Sequence, residues 1–458
     1  MIDNEKWNDL LNESFKYPEE ICSVEKRLEM RIAKLKRKKR TLITSISTLA
    51  ASLLFVLLVN TNTAFANAVS ELPVIRNLAE FVKFDKSLSR AIENEHVQEV
   101  NLVAWDGSNR LLLPYVIADE KNLVLFFQLP EEFNQESNQW INIFLDNMKN
   151  SVTGEKVEGY GYSTSGLSPE GREENYGFIM QEYHFSEGKL PQSIDIEVET
   201  VIENITASDE PVELKDSSIY EDTKYTYDKT GTFKFHIDLA DFVAPRIYEI
   251  KETHKIMDQQ IIVENMKVYP TGTEVNISFS EENSAWIKGL ELELLQNRDA
   301  VYKGNNGFSS TNDTENKWMS VYIESNYFDK PKKQELLIKA IRLLDKDEEF
   351  ITVDIDNETI TPNIEGVELK QVIKEADNAT LIFSTQISKD DNHGMFSHEY
   401  KDIEGNIYNL NGEGTSSYDS QMETLITVKY PQSGKVILQR VLTPKTFLKQ
   451  PIIINIPQ

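Results

Sequence analysis

The sequence predicts a mainly β fold in which short amphipathic helices and one transmembrane helix are followed by about three immunoglobulin-like β-sandwich domains. Three observations support this prediction. Apolar residues recur at helical spacing before residue 42, an uncharged apolar run follows, and from about residue 97 apolar and polar residues alternate. The predicted segments are an amphipathic arm (1–41), the transmembrane helix (42–59), a juxtamembrane helical segment (60–96) and three β domains (97–255, 256–361 and 362–458).

The apolar run is long enough to cross a membrane. Residues 41–70 contain no charged side chain, and residues 42–59 are their most apolar part. At about 1.5 Å per residue, a helix over 42–59 reaches roughly 27 Å, close to the ~30 Å hydrocarbon core of a bilayer. A buried core helix is the alternative, but the residues before the run offer no apolar helical partner around which a soluble domain could form. We therefore predict a membrane span.

Charge on the two sides of the run predicts its orientation. Residues 31–40 carry seven basic side chains and no acid, whereas the other flank has no charge before Glu71. Because basic residues stay on the cytoplasmic side, we expect residues 1–41 in the cytoplasm and the chain after about residue 60 outside the cell membrane. Residues 1–41 hold 11 basic and 8 acidic side chains, and the remainder holds 37 and 67. The basic cluster consists of Arg31, Lys34, Lys36, Arg37, Lys38, Lys39 and Arg40.

A cleaved signal peptide is the competing interpretation of the same run. Ala64 and Ala66 flank Phe65 in a small-x-small sequence just beyond the apolar residues, which makes them a candidate cleavage position. The region before the run, residues 1–41, is far longer than the charged start of an ordinary signal peptide. We therefore expect a retained anchor.

The N-terminal arm has two apolar stripes at helical spacing. One runs from Trp7 to Phe15, and the other follows Pro18, which suits a first helical turn. So short a segment cannot bury much apolar surface by itself. Either the arm binds a groove of a cytoplasmic protein, or it lies on the inner leaflet or pairs in a homodimer. The residues predicted to bind the partner are Trp7, Leu10, Leu11, Phe15, Ile21, Val24 and Leu28.

The alternating pattern after residue 97 predicts antiparallel strands up to the C-terminus. Similar strand–turn–strand blocks begin at residues 98, 260 and 366, which suggests three β-sandwiches in series. The chain lacks the Cys-Trp-Cys core of immunoglobulin domains, and its single cysteine, Cys22, excludes intramolecular disulfides. These domains must therefore fold on apolar burial alone.

Sequence motifs of catalysis and of cofactor binding are missing. The six histidines form no HExxH or His-x-His cluster, and no GxSxG, GxxxxGK[ST] or strand-linked GxGxxG is present. A net charge of -27 disfavours nucleic acid as a direct partner. We expect a protein that is not an enzyme and that has no metal and no cofactor.

Residues 36–129 carry a family resemblance. The basic KLKRKKR, the apolar run, the junction AFANAVSELPVIRNLAEF and the strands VNLVAWDG and LVLFFQL resemble single-pass membrane proteins of Gram-positive bacteria that are encoded beside extracytoplasmic-function sigma factors. WIKGLELELL is similar to an additional β domain of that family. Those proteins are regarded as anti-sigma-factor-like negative effectors. The zinc-binding anti-sigma class does not fit, because residues 1–41 contain no histidine and one cysteine.

The resemblance implies a membrane regulator that acts as an anti-sigma factor. Its cytoplasmic arm would sequester a sigma factor, and its exterior β domains would sense the envelope or a ligand. The expected partners are thus the sigma factor, membrane lipid and an exterior ligand. The alternative is a membrane-anchored or secreted surface or cell-wall protein whose β-sandwiches bind a polymer or a protein.

Overall fold

A computed structural model describes residues 73–129, 139–165, 177–186, 188–207, 223–304, 310–312, 317–375, 377–387, 394–418, 420–431, 433–441 and 443–457. The protein is mainly β and its sheets are antiparallel, as the alternating pattern predicts. The chain divides into two compact units after Arg76, and the sheets belong to the second unit, Asn77–Gln458. The predicted arm and the predicted span at 42–59 lie outside the described residues. Within the described ranges, no helix combines the length and the apolar character that crossing a membrane requires.

Two helices precede the first strand in the described part of the chain, α1 (Pro73–Phe81) and α2 (Lys86–Glu93). Helix α2 begins after Asp85, whose carboxylate accepts a hydrogen bond of 2.9 Å from the backbone N–H of Leu88. This cap satisfies one of the N–H groups that a helix leaves unpaired at its start. Leu88, Ala91 and Ile92 are buried and form the apolar side of α2.

The N-terminal core lies between two sheets, with strand orders β1-β2-β3-β6-β5 and β4-β7-β8. Leu123, Leu125 and Phe127 alternate along β3 and face this core. The strands are β1 (Gln98–Asp106), β2 (Asn109–Ala118), β3 (Asn122–Gln128), β4 (Gln139–Asn150), β5 (Tyr160–Thr164), β6 (Phe178–Phe185), β7 (Ser193–Ala207) and β8 (Thr223–Asp238).

Helix residues cover the other face of the first sheet. The Phe81 ring lies 6.5 Å from that of Phe126 on β3 and 5.7 Å from that of Phe178 on β6, between ring centroids. Strand β3 is therefore buried on both faces, which explains why its sequence is a continuous apolar run instead of an alternating one.

The middle core also lies between two sheets, with strand orders β14-β15-β11-β10-β9 and β13-β12-β16-β26. Its strands are β9 (Arg246–Ile256), β10 (Gln259–Val268), β11 (Thr273–Phe279), β12 (Ala285–Gln296), β13 (Ala300–Lys303), β14 (Ser310–Asn312), β15 (Trp318–Ile323), β16 (Gln334–Asp345) and, after a long excursion of the chain, β26 (Thr446–Asn455).

That excursion forms the C-terminal core. A 3₁₀ turn (Lys346–Glu348) leads from β16 into two sheets with strand orders β18-β17-β25-β21-β22 and β19-β20-β24-β23. The strands are β17 (Phe350–Asp354), β18 (Thr359–Thr361), β19 (Val367–Lys374), β20 (Asn378–Gln386), β21 (Phe396–Asp402), β22 (Ile407–Asn409), β23 (Gly412–Tyr418), β24 (Gln421–Lys429) and β25 (Lys435–Arg440).

The last strand returns to the middle core. In β26, Ile454 is fully buried and lies opposite Leu336 of β16. The sequence pattern assigns residues 362–458 to one terminal domain, whereas the pairing nests the C-terminal core between β16 and β26. Alternation along a strand identifies its buried face but carries no information about the sheet that receives it. Pro451 fits this place, because β26 is an edge strand of its sheet.

Candidate functional site

The residues that the sequence nominates for partner binding, topology and cleavage lie outside the described ranges, so those assignments stay predictions. The described residues contain a different candidate, a cavity of about 40 Å³ where helix α2, the N-terminal core and the middle core meet. This volume has room for roughly three water molecules. The side chains that matter most in its wall are Leu88, Glu182, His184, Tyr269, Glu274 and Tyr322.

Because successive side chains of a strand point to opposite faces of the sheet, two polar side chains of β6 face this cavity. Tyr183 and Phe185 face the N-terminal core, so Glu182 and His184 project from the opposite face of the sheet. Across the cavity, Glu274 of β11 lies opposite Tyr322 of β15 in the sheet register, which places both side chains on one face. The cavity thus lies between the outer faces of two sheets.

A chain of hydrogen bonds connects the two cores beside the cavity. The Thr271 hydroxyl donates to Asp119 Oδ2 at 2.6 Å, and Asn122 Nδ2 donates to that hydroxyl at 2.7 Å. Asn122 Oδ1 lies 2.7 Å from His184 Nδ1. Because the Asn122 amide nitrogen is committed to Thr271, its oxygen accepts, and this network assigns the proton of the His184 ring to Nδ1.

Asp119 is the fully buried end of this series of hydrogen bonds. Its carboxylate accepts from the backbone N–H groups of Lys121 and Asn122, each at 2.9 Å, and from that of Thr271 at 3.2 Å. Burial raises the pKa of Asp119, and these hydrogen bonds together with the Thr271 hydroxyl act in the opposite direction. The turn between β2 and β3 is therefore fixed to the turn between β10 and β11.

His184 is neutral in this setting. Burial and the nearby charge of Lys121 lower the pKa of His184 to about 4. Its ring packs on that of Tyr322, with 4.1 Å between centroids. At neutral pH the imidazole therefore acts as a hydrogen-bond donor through Nδ1, without a positive charge that could pair with the carboxylates of the cavity.

The two carboxylates of the cavity, those of Glu182 and Glu274, have only weak hydrogen-bond partners. Glu182 is half-buried, and the Ser163 hydroxyl donates to it at 3.4 Å. Burial first, and repulsion by Asp85 second, raise the pKa of Glu182 to about 7. No lysine or arginine of the described ranges forms an ion pair with Glu182.

Glu274 is buried across the cavity from Glu182. It accepts hydrogen bonds from the Ser320 hydroxyl at 3.3 Å and from the Tyr269 hydroxyl at 3.4 Å. Lys267 Nζ lies 3.9 Å from its carboxylate. All three distances are at the long end of their ranges, so these contacts satisfy Glu274 only loosely.

Helix α2 contacts the middle core as well as the N-terminal sheet. The Ser87 hydroxyl accepts from the backbone N–H of Ser325 at 2.8 Å, and Lys86 Nζ lies 3.7 Å from Glu324 Oε2. Arg90 Nε is 3.9 Å from Asp329 Oδ1. The residues that follow α2 add a ring contact of 5.7 Å between His96 and Phe328. Helix α2 therefore contacts the middle core at several points beside the cavity that it lines.

The arrangement can bind water and exchange protons, since it combines two carboxylates with a neutral imidazole and tyrosine hydroxyls. Among the described residues, no group of three or more His, Cys, Asp or Glu side chains is arranged to hold a metal ion. Sequence reasoning did not identify this site. The available signal was the presence of Glu182 and His184 at alternating positions in the mainly apolar strand FIMQEYHF.

Comparisons with known proteins give a partial family match. A protein family described as "Domain of unknown function (DUF4179)" matches residues 36–130. No curated protein matches the chain. The crystal structure of the conserved domain protein from Bacillus anthracis is 14% identical, with a TM-score of 0.36, and covers 58% of this chain and 84% of that one. A marsupial T cell receptor is 8% identical, with a TM-score of 0.10, and covers 74% of this chain and 94% of that one. The chain is therefore similar to a family of unknown function over the end of the predicted basic cluster, the predicted span and strands β1 to β3.

Proposed function

We propose that the protein is a single-pass membrane regulator of the anti-sigma-factor type. Its cytoplasmic arm sequesters an extracytoplasmic-function sigma factor, and its exterior, immunoglobulin-like β domains sense the state of the envelope. Release of the sigma factor would follow cleavage near Ala64 and Ala66 or within the span. This proposal makes the chain a binding protein and not an enzyme.

The extent of the family match is the observation that carries the proposal. The match begins at Lys36, inside the basic cluster, and ends at residue 130, just after β3. The match therefore includes the end of the basic cluster, the uncharged run and the first strands in one continuous segment. A basic flank, a span-length apolar run and a folded domain in this order are typical of a protein that connects two sides of a membrane.

Topology can be tested with the single natural cysteine. A membrane-impermeant maleimide should leave Cys22 unlabelled on intact cells and label it after permeabilisation, because we expect residue 22 in the cytoplasm. In the Cys22→Ser background, Val152→Cys should be labelled on intact cells, since Val152 is 84% exposed and belongs to the predicted exterior. Labelling of Cys22 on intact cells contradicts the proposed orientation.

Sigma-factor binding can be tested by co-purification of the full-length chain with the extracytoplasmic-function sigma factors of its host. Trp7→Ala combined with Leu11→Ala should weaken the complex by at least about tenfold, because both aromatic and aliphatic anchors of one stripe are removed. Asp9→Asn combined with Glu13→Gln has the same spacing on the opposite, polar side of the predicted helix and should leave binding unchanged. If no sigma factor co-purifies, or if both double variants bind alike, the proposal fails.

Exposed tryptophans favour the alternative, a surface or cell-wall binding protein. Trp105 is 53% exposed and Trp318 is 45% exposed, and indole rings on sheet surfaces are common in binding faces. Binding of the purified protein to isolated cell-wall material, lost on Trp105→Ala and without any sigma factor in the complex, would support that function instead.

A further inference from the structure

We propose that the cavity under helix α2 is a proton-operated latch, in which protonation of Glu182 holds α2 against the two cores and ionisation of Glu182 loosens it. The latch is built from described residues of the unit Asn77–Gln458 and does not depend on a sigma factor. Within the proposed function it would make acidity outside the cell an input to the regulator.

The position of Glu182 is the first argument. Its carboxyl group lies in a wall shared by Leu88 of α2, Val124 of the N-terminal sheet and Glu274 of the middle core. Apolar surface on two sides disfavours a negative charge there. The Asp85 carboxylate at the start of α2 repels the same charge. A neutral carboxylic acid removes all of these penalties and gains an O–H donor.

The neighbouring cations are committed to other partners, which is the second argument. Lys121 Nζ donates to the carbonyl oxygens of Phe185, Ser186 and Gly188 at 3.1 to 3.3 Å. Lys86 of α2 contacts Glu324 and a backbone carbonyl. Lys267 of β10 lies near Glu274. The other groups that face the cavity are uncharged at neutral pH, namely Ser163 of β5, Asn122 and His184 of the N-terminal sheet, and Tyr269 and Tyr322 of the middle core.

The third argument is that the contacts of α2 link the cavity to the middle core. The helix is tied to the middle core through Ser87 and Lys86, while Leu88 lines the cavity. An ionised Glu182 repels the Asp85 carboxylate that caps α2, and the water that hydrates it competes with Leu88 for the wall of the cavity. Ionisation therefore works against the same contacts that hold α2 in place.

The sign of the pH dependence follows from proton binding. The closed state raises the pKa of Glu182 from 4.5 to about 7, so it binds more protons than an open state with an exposed glutamate. The closed state is therefore favoured by acid and weakens as the pH rises toward about 7, with no further change above it. Histidine protonation would act in the opposite direction. Burial lowers the pKa values of His184 and His96, so a histidine effect belongs to a more acidic range.

Hydrogen exchange of the full-length chain in detergent micelles tests the latch. Protection of backbone amides in residues 86–93, corrected for the intrinsic pH dependence of exchange, should fall by about 10- to 30-fold between pH 5.5 and pH 8, the upper figure being the part of the shift of Glu182 from 4.5 to about 7 that this pH interval covers. Glu182→Gln should keep these amides at the acid-state protection over the whole range. Protection that increases with pH, or a transition at pH 5 or below, overturns the proposal.

A matched control is Glu264→Gln. Glu264 is also a half-buried glutamate on a strand and accepts a serine hydroxyl, from Ser278 at 2.6 Å, but it does not line the cavity. This variant should show the pH response of the unaltered chain. An equal response in Glu182→Gln and Glu264→Gln rejects Glu182 as the switch.

A second variant keeps the test decisive if Glu182→Gln does not fold. Asp85→Asn preserves a good helix cap and removes the charge that repels Glu182. Its transition should therefore move to a pH below that of the unaltered chain. An unchanged midpoint, with β12 amides still protected, counts against the latch.

Discussion

Ile454→Ala is expected to lower the free energy of unfolding of the middle core by about 2–5 kcal/mol, the usual cost of truncating a fully buried isoleucine. Ile454 contributes to this core from the last strand, opposite Leu336 of β16. Because a chain with several cores need not unfold in one step, the measurement is hydrogen exchange in urea of peptides from β12 and β20, which report on the middle and C-terminal cores separately.

The neighbouring residue supplies the control. Ile453 is 54% exposed on the same strand, so Ile453→Ala should cost less than about 1 kcal/mol. The comparison also tests the nesting of the domains. If Ile454→Ala increased exchange in β20 while β12 stayed protected, the last strand would belong to the C-terminal core and the pairing of β26 with β16 would be wrong.

The mainly β fold was predictable because alternation is a local property. Strands such as β10 and β20 show their buried face in the sequence itself. The continuous apolar run of β3 also indicated a strand. The run does not reveal that helix α1 packs on the second face of that strand. Burial on both faces depends on a helix whose contacts to the sheet are set by tertiary packing.

The partner of each strand was less predictable than its existence. Residues of β26 lie more than 100 positions after their partners on β16, as in the pair Leu336 and Ile454. Nothing in a run of alternating residues distinguishes one edge strand from another at this distance. A linear series of domains is the simplest arrangement of such a pattern, and a nested domain leaves no local mark where the chain returns.

The cavity illustrates the same limit for the site. Asp119 and Thr271 are 152 residues apart, and each alone resembles an ordinary turn residue. Glu182 becomes unusual only when α2 and β11 approach it. The predicted partner-binding arm is the reverse case, since its apolar stripes are visible in the sequence and its residues lie outside the described ranges.

Asp119→Ala is expected to destabilise the contact between the N-terminal and middle cores by about 2–4 kcal/mol. The substitution leaves the backbone N–H groups of Lys121, Asn122 and Thr271 without their acceptor in a buried place, and each unsatisfied group costs roughly 1–3 kcal/mol before local relaxation. Relief from burying the carboxylate offsets part of this loss. Exchange of the turns 119–122 and 269–272 should increase together.

Two further variants separate hydrogen bonding from packing at this contact. Asp119→Asn keeps one oxygen for the N–H groups of its own turn but presents an N–H₂ group toward Thr271, so we expect a loss between zero and that of Asp119→Ala. Asp106→Ala removes another carboxylate that accepts a backbone N–H, that of Thr232 at 2.9 Å, from an exposed position. It should cost less than about 1 kcal/mol, because water replaces the lost acceptor. Equal effects of Asp106→Ala and Asp119→Ala would show that burial of the Asp119 network contributes nothing, and the two turns would then be held together by apolar packing alone.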